Sequence, residues 1–274
     1  YDTNSSFLVN FWENLGIIIF ATIAWIFFKI IELFGVSKQN PKIASFIRKI
    51  RVIAQNFLIA ALYEVNGDLI ISSILEYRTL LFGWNFALLS FTMSIILLLV
   101  MFIIFFYQIR LLLNYQKIKK QKKKAALKKF MQNTEGTELF YKDFKDDSLS
   151  PQLFLLFLSG RDILFSLLLV TMFEYPLAQT VLITIFDCLM IVYLFTKKPF
   201  ESIFDFIQQI FFEFICLIVM ISVMINAVFD AGKYKTYQER INIGKLVIVA
   251  NILFNCITAI FMAILIVQTL IEFY

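Results

Sequence analysis

Seven apolar runs dominate the chain, at about 11–34, 56–80, 86–113, 153–173, 177–196, 203–229 and 243–271. Each is about 20 residues or longer, enough for a helix to cross ~30 Å of hydrocarbon. Few folds are open to such a chain. In lipid every backbone N–H and C=O must be bonded internally, so only helices and closed barrels span the bilayer. The alternation over ~10-residue segments that marks a membrane barrel is absent. The sequence therefore predicts an all-α fold, a polytopic integral membrane bundle of about seven transmembrane helices. Composition agrees: of 274 residues, 60% are hydrophobic and 17% aromatic, far from soluble usage.

Direction comes from the one long polar stretch, Asn114–Ser150. Ten of the 25 Lys and Arg lie in it, all of them Lys. Its basic half carries Lys117, Lys119, Lys120, Lys122, Lys123, Lys124, Lys128 and Lys129, and its acidic half runs from Glu135 to Asp147. Short basic connections stay on the cytoplasmic or matrix side. With this loop inside, Ser37–Gln55 (Lys38, Lys42, Arg48, Lys49 and Arg51, with no acid) and Lys197–Lys198 fall on the same side. The Glu174–Pro176 turn and the Asp230–Asn242 link are then outside, as is Asn4 of the sequon Asn4-Ser5-Ser6, a candidate glycosylation site. The net charge of +5 is read as orienting the protein and attracting anionic lipid at the basic loop, with no role in nucleic-acid binding. An interfacial amphipathic helix is expected from Pro41. The loop has three readings: a solvated linker, an acidic half folded back on the Lys run, or a docking site for a partner. The resulting division is a stub at 1–10 continuing a larger N-terminal region, a three-helix membrane unit at 11–113, the loop at 114–150 and a four-helix unit at 151–274. The second apolar run, the least hydrophobic, is either a span or a re-entrant segment.

Chemistry is constrained mostly by what is missing. There is no His, hence no imidazole ligand or proton relay. The three Cys all lie in apolar runs, and no phosphate-binding loop, triad or metal-ligand spacing occurs. No enzymatic activity, cofactor or metal is expected. Ionisable groups in the membrane are the functional candidates, because each costs roughly 2.5–3.5 kcal/mol to insert. Glu64 and Asp68, four residues apart around Asn66-Gly67, suit a water-filled, cation-attracting path, or else lie in solvent outside the lipid. Arg161 falls at the depth of Asp187 and Glu213 if the fourth and fifth segments form a hairpin. An ion-pair cluster there would be structural glue or part of a gate. Asn226, Asn251 and Asn255 are candidates for hydrogen bonding between helices. The lipid bilayer and other membrane subunits, or further copies of the chain, are the expected partners.

Several short stretches carry a resemblance: Ser6-Phe-Leu-Val-Asn-Phe-Trp12, Lys49-Ile-Arg-Val-Ile53, Gly67-Asp-Leu-Ile-Ile-Ser-Ser-Ile-Leu-Glu-Tyr-Arg78, Arg161-Asp-Ile-Leu-Phe-Ser166 and Lys198-Pro-Phe-Glu-Ser202. The pattern resembles the C-terminal membrane regions of ciliate-type surface proteins, similar in turn to TRP/polycystin-like channels. The resemblance implies cation permeation or a mechanosensory role, an extracellular N-terminal extension, and a plasma or ciliary membrane. The sequence departs from it at Asp230–Asn242, which is too short for the pore helix and filter such channels carry before their last helix. That departure opens a second role, a membrane anchor for an ectodomain. The competing class is an accessory subunit of a large assembly such as a protist mitochondrial respiratory complex, in the inner membrane.

Overall fold

The computed structural model describes residues 6–34, 41–78, 86–121, 124–232 and 237–273, and among them every regular element is helical. In chain order they are α1 (Phe7–Asn10), α2 (Trp12–Leu33), α3 (Pro41–Glu64), α4 (Asn66–Arg78), α5 (Phe86–Lys120), α6 (Lys124–Asn133), a 3-10 turn at Glu138–Phe140, α7 (Leu149–Gln152), α8 (Phe154–Thr171), α9 (Pro176–Lys197), α10 (Ile203–Ala231) and α11 (Tyr237–Phe273). Six of these helices are long and apolar enough to cross a membrane, and α3 with α4 forms a further pair bent by 53°. The all-helical, multi-span fold is thus as the sequence predicts.

Local chemistry sets the ends. Pro176 opens α9, where its missing N–H and fixed φ cost nothing. Lys198 closes the same helix in the left-handed region, and Pro199 prevents its continuation. Ser202 caps α10 by accepting from the Asp205 N–H, and Asp205 adds a favourable negative charge to the first turn. The third apolar run ends near Leu113, yet α5 continues to Lys120. Its last turn holds Lys117, Lys119 and Lys120, which complement the negative end of the helix dipole.

The chain divides into two compact units, Tyr1–Val170 and Thr171–Tyr274. The division falls one helix later than the boundary at 150/151 read from the sequence. Three contacts explain why α8 belongs to the first unit. Phe154 packs on Phe144. Gly67 lies so close that a Cβ there would sit 2.9 Å from Ser166 Oγ. Arg78 Nη1 donates to the Val170 carbonyl at 3.2 Å. The core of this unit joins Phe7, Phe11, Leu15 and Ile18 of α1–α2 to Leu69 of α4 and Leu97 and Met101 of α5. In the second unit α10 packs against both α9 and α11, with Phe212 tilted against Phe254 and Phe204 edge-on to Phe261.

The bent pair continues in one direction past its break. Tyr63 on α3 hydrogen-bonds Gln108 on α5, and farther along, Glu76 on α4 accepts from Ser90. The partners on α5 therefore descend as α3–α4 climbs, an antiparallel register that a hairpin turning back at Val65 would not give. In the same sense, Gly67 meets Ser166 and Arg78 meets Val170 on α8, which climbs alongside. The predicted boundary between an interfacial helix and a second span, near Gln55, is not observed. One continuous helix covers Pro41–Glu64, and the break is at Val65, where Asn66-Gly67 follows. Asn and Gly are the weak helix formers in this stretch.

Candidate functional site

The break carries the membrane-level chemistry of the first unit. Depth can be read along α2. At one end Glu32 Oε2 is 2.6 Å from Arg51 Nε on α3. Toward the other end Asn14 Nδ2 donates to Asp68 Oδ2 at 3.0 Å. At 1.5 Å of rise per residue these two contacts are roughly 27 Å apart, close to the ~30 Å of a hydrocarbon core. With the Glu32–Arg51 pair at the basic rim, Asp68 lies near the opposite surface. Glu64 lies roughly 20 Å from the rim, within the hydrocarbon.

Glu64 and Asp68, read from the sequence as one helical face, are separated by the break: Glu64 ends α3 and Asp68 lies in the first turn of α4. Both are exposed, and among the described residues neither forms an ion pair. Their electrostatic settings are opposite. Asp68 sits at the positive end of α4 and is stabilised there, whereas Glu64 sits at the negative end of α3, where a carboxylate is disfavoured and a cation favoured. Beside them are two buried amide donors with no hydrogen-bond partner among the described residues, Asn66 Nδ2 next to the break and Gln108 Nε2, whose amide oxygen takes the Tyr63 hydroxyl.

Glu76 was not singled out from the sequence, and it organises the end of this unit opposite the Glu32–Arg51 pair. Only 6% of it is exposed. Its Oε2 accepts from the Phe7 N–H at 2.6 Å and from Ser90 Oγ at 3.0 Å. Ser90 in turn bonds Ser6 and accepts from the Leu8 N–H. One carboxylate thus ties α4, α5 and the start of α1 together. The available signal was Ser90, a polar residue near the start of the most apolar run.

The end of this unit that carries Arg48, Arg51 and Lys119 is closed by a folded cap. The polar stretch read as a solvated linker packs instead: Phe140 and Tyr141 are buried with Tyr63, Leu112 and Tyr115. Tyr115 stacks on Tyr141 with centroids 5.1 Å apart. Charge adds to this. Arg48 Nη2 is 2.5 Å from Glu135, which also faces Arg51 at 3.9 Å, and Lys119 Nζ is 2.5 Å from Asp146. The acidic half does fold back, meeting α3 and the end of α5 more than the Lys run itself. These pairs are half-exposed and contribute about 0–1 kcal/mol each. Each buried ring contributes about 1.5–3 kcal/mol, so the aromatics hold the cap and the charges select its register. Gly136 makes the final turn at φ 90°, and a Cβ there would meet the Gln55 side chain at 2.5 Å. Burial holds the Tyr141 phenol above its ordinary pKa against a hydrogen bond with Thr134 that acts the other way.

The other predicted residues fall as follows. Arg161 Nη2 is 3.3 Å from Asp162 Oδ1, its neighbour on α8. Asp187 and Glu213 are buried in the second unit, where Gln209 Nε2 donates to Glu213 at 2.9 Å. Arg161 and this acidic pair thus belong to different units, each described within its own. Asn226 keeps a buried, unbonded Oδ1. Asn251 and Asn255 are exposed on α11 and bond no other helix among the described residues. Lys117, Lys120, Lys128 and Lys129 are exposed, Lys124 starts α6, and Lys122, Lys123 and Asn4 lie outside the described residues. No group of three or more metal-ligating side chains occurs among the described residues. Compared with protein-family models, curated proteins and solved structures, the chain matches none.

Proposed function

We propose that this multi-span membrane protein offers cations a path along its broken second span, with Glu64 and Asp68 as the attracting carboxylates. One observation carries the reading: Glu64 is exposed, forms no ion pair among the described residues, and lies roughly 20 Å along α3 from Arg51, at the helix end that favours a cation. A carboxylate facing lipid there would cost roughly 2.5–3.5 kcal/mol. Water or another polar surface outside the chain removes that cost, and the unbonded Asn66 and Gln108 amides suit the same wet environment. The path then runs along the outer face of the first unit and is completed by a neighbouring copy. A cation path is the channel-like role that the resemblance implies. The test is cation flux into liposomes holding the full chain. Flux above that of protein-free liposomes, lowered at least tenfold by Glu64→Gln with Asp68→Asn, is expected. Flux equal to protein-free liposomes, or unchanged by the double substitution, refutes the reading.

A second reading, an accessory subunit or anchor in a larger assembly, is favoured by α11. It is the least covered of the candidate spans, and it presents Asn251 and Asn255, one turn apart, outward. Amides at that spacing join helices in membranes. Purification in mild detergent as a stoichiometric complex with other membrane chains, disrupted by Asn251→Leu with Asn255→Leu, supports it.

A further inference from the structure

Where α5 leaves the apolar run, a cavity of about 400 Å³ opens between the end of that helix and the cap. Lys117 and Lys120 line it from one face of α5, a turn apart. Ser148 lines the opposite wall, and Leu113 and Leu149 are its apolar lining. Asp147 also lines it, so the net charge of the lining is one positive. These lysines differ from their neighbour: Lys119 is spent on Asp146, whereas Lys117 and Lys120 are exposed and line the cavity. Two ammonium groups and a hydroxyl suit the oxygens of a phosphate. Leucines on the membrane side suit the first methylenes of an acyl chain. The level is also right, since Leu113 ends the apolar run and Asn114 begins the polar stretch.

We propose that this cavity binds a phosphomonoester, held by Lys117, Lys120 and Ser148. The group can be presented by an anionic phospholipid or by a soluble phosphate ester, and the chemistry recognised is the same. The inference is independent of cation passage, because it concerns the inner rim rather than the broken span.

The test titrates the full chain in detergent with phosphatidic acid and, separately, phosphatidylcholine, counting bound lipid by native mass spectrometry. One tight phosphatidic acid is expected, weakened about thirty-fold by Lys117→Gln with Lys120→Gln. That factor corresponds to about 2 kcal/mol for two basic residues at an anionic surface. Lys128→Gln with Lys129→Gln removes the same charge from α6, away from the cavity lining, and leaves the tight site unchanged. Asp147→Asn, which removes the one opposing charge, strengthens it. Competition by glycerol 3-phosphate at matching concentration assigns the site to a soluble ester, and failure to compete assigns it to the lipid. Equal binding of phosphatidic acid and phosphatidylcholine, or an equal loss in the Lys128/Lys129 variant, overturns the proposal.

Discussion

Removing Glu76 tests whether α4 is fastened to α1 and α5. The carboxylate accepts two hydrogen bonds, from the Phe7 N–H and Ser90 Oγ, in a site that is 6% exposed. Hydrogen bonds to a charged group contribute roughly 1.5–3 kcal/mol each. In Glu76→Ala the Phe7 N–H loses this acceptor, while Ser90 keeps Ser6 and Leu8 as partners. The second bond is therefore partly replaced, and the expected loss is roughly 2–4 kcal/mol. Glu76→Gln retains an acceptor oxygen and should lose about 1 kcal/mol, the difference between a charged and a neutral acceptor. Denaturant unfolding of the purified protein in detergent measures both, and hydrogen exchange at Phe7 and Leu8 reports the local opening. The reasoning fails if Glu76→Ala costs less than about 0.5 kcal/mol, or if Ala and Gln are equivalent. Either result would mean that α4 is not fastened to α1 and α5.

Gly136→Ala should loosen the cap by about 1–3 kcal/mol, because φ 90° is strained for any residue with a Cβ. Adding Gln55→Ala relieves the contact but not the strain, so protease sensitivity across 124–150 should persist in the double variant. The cap should also weaken in alkali. The Tyr141 phenol is raised in the folded state, so its contribution is complete below the ordinary tyrosine value near 10 and is lost as pH climbs through the folded value. Tyr141→Phe should abolish that dependence, read as cap proteolysis against pH.

The all-helical, multi-span class was legible because it depends on the length of the apolar runs alone. Glu64 and Asp68 were legible as costly charges, but their separation by the break was not. A bend at Val65 depends on what α5 and α8 allow to pack, which residue spacing does not contain. The folding back of the acidic half was among the readings of the polar stretch, but its aromatic core was not, for a related reason. Its charge density resembles that of a solvated tail, and the residues that fold it, Phe140, Tyr141 and Phe144, are spread thinly among lysines and acids. Their partners Tyr63 and Leu112 lie on other helices, so the cluster exists only in three dimensions. Glu76 was passed over because its acceptor role requires the Phe7 N–H, distant in sequence.

Water access to the break is the most direct test of the proposed path. In a background with Cys188, Cys216 and Cys256 changed to Ser, cysteines introduced one at a time at Glu64, Asp68 and Leu99 are exposed to a membrane-impermeant, water-soluble thiol reagent in liposomes. Leu99 is exposed to the surroundings in the middle of the most apolar helix and serves as the lipid-facing control. Modification of Glu64→Cys and Asp68→Cys with none of Leu99→Cys is the predicted result. Protection of Glu64→Cys to the level of Leu99→Cys would contradict the account.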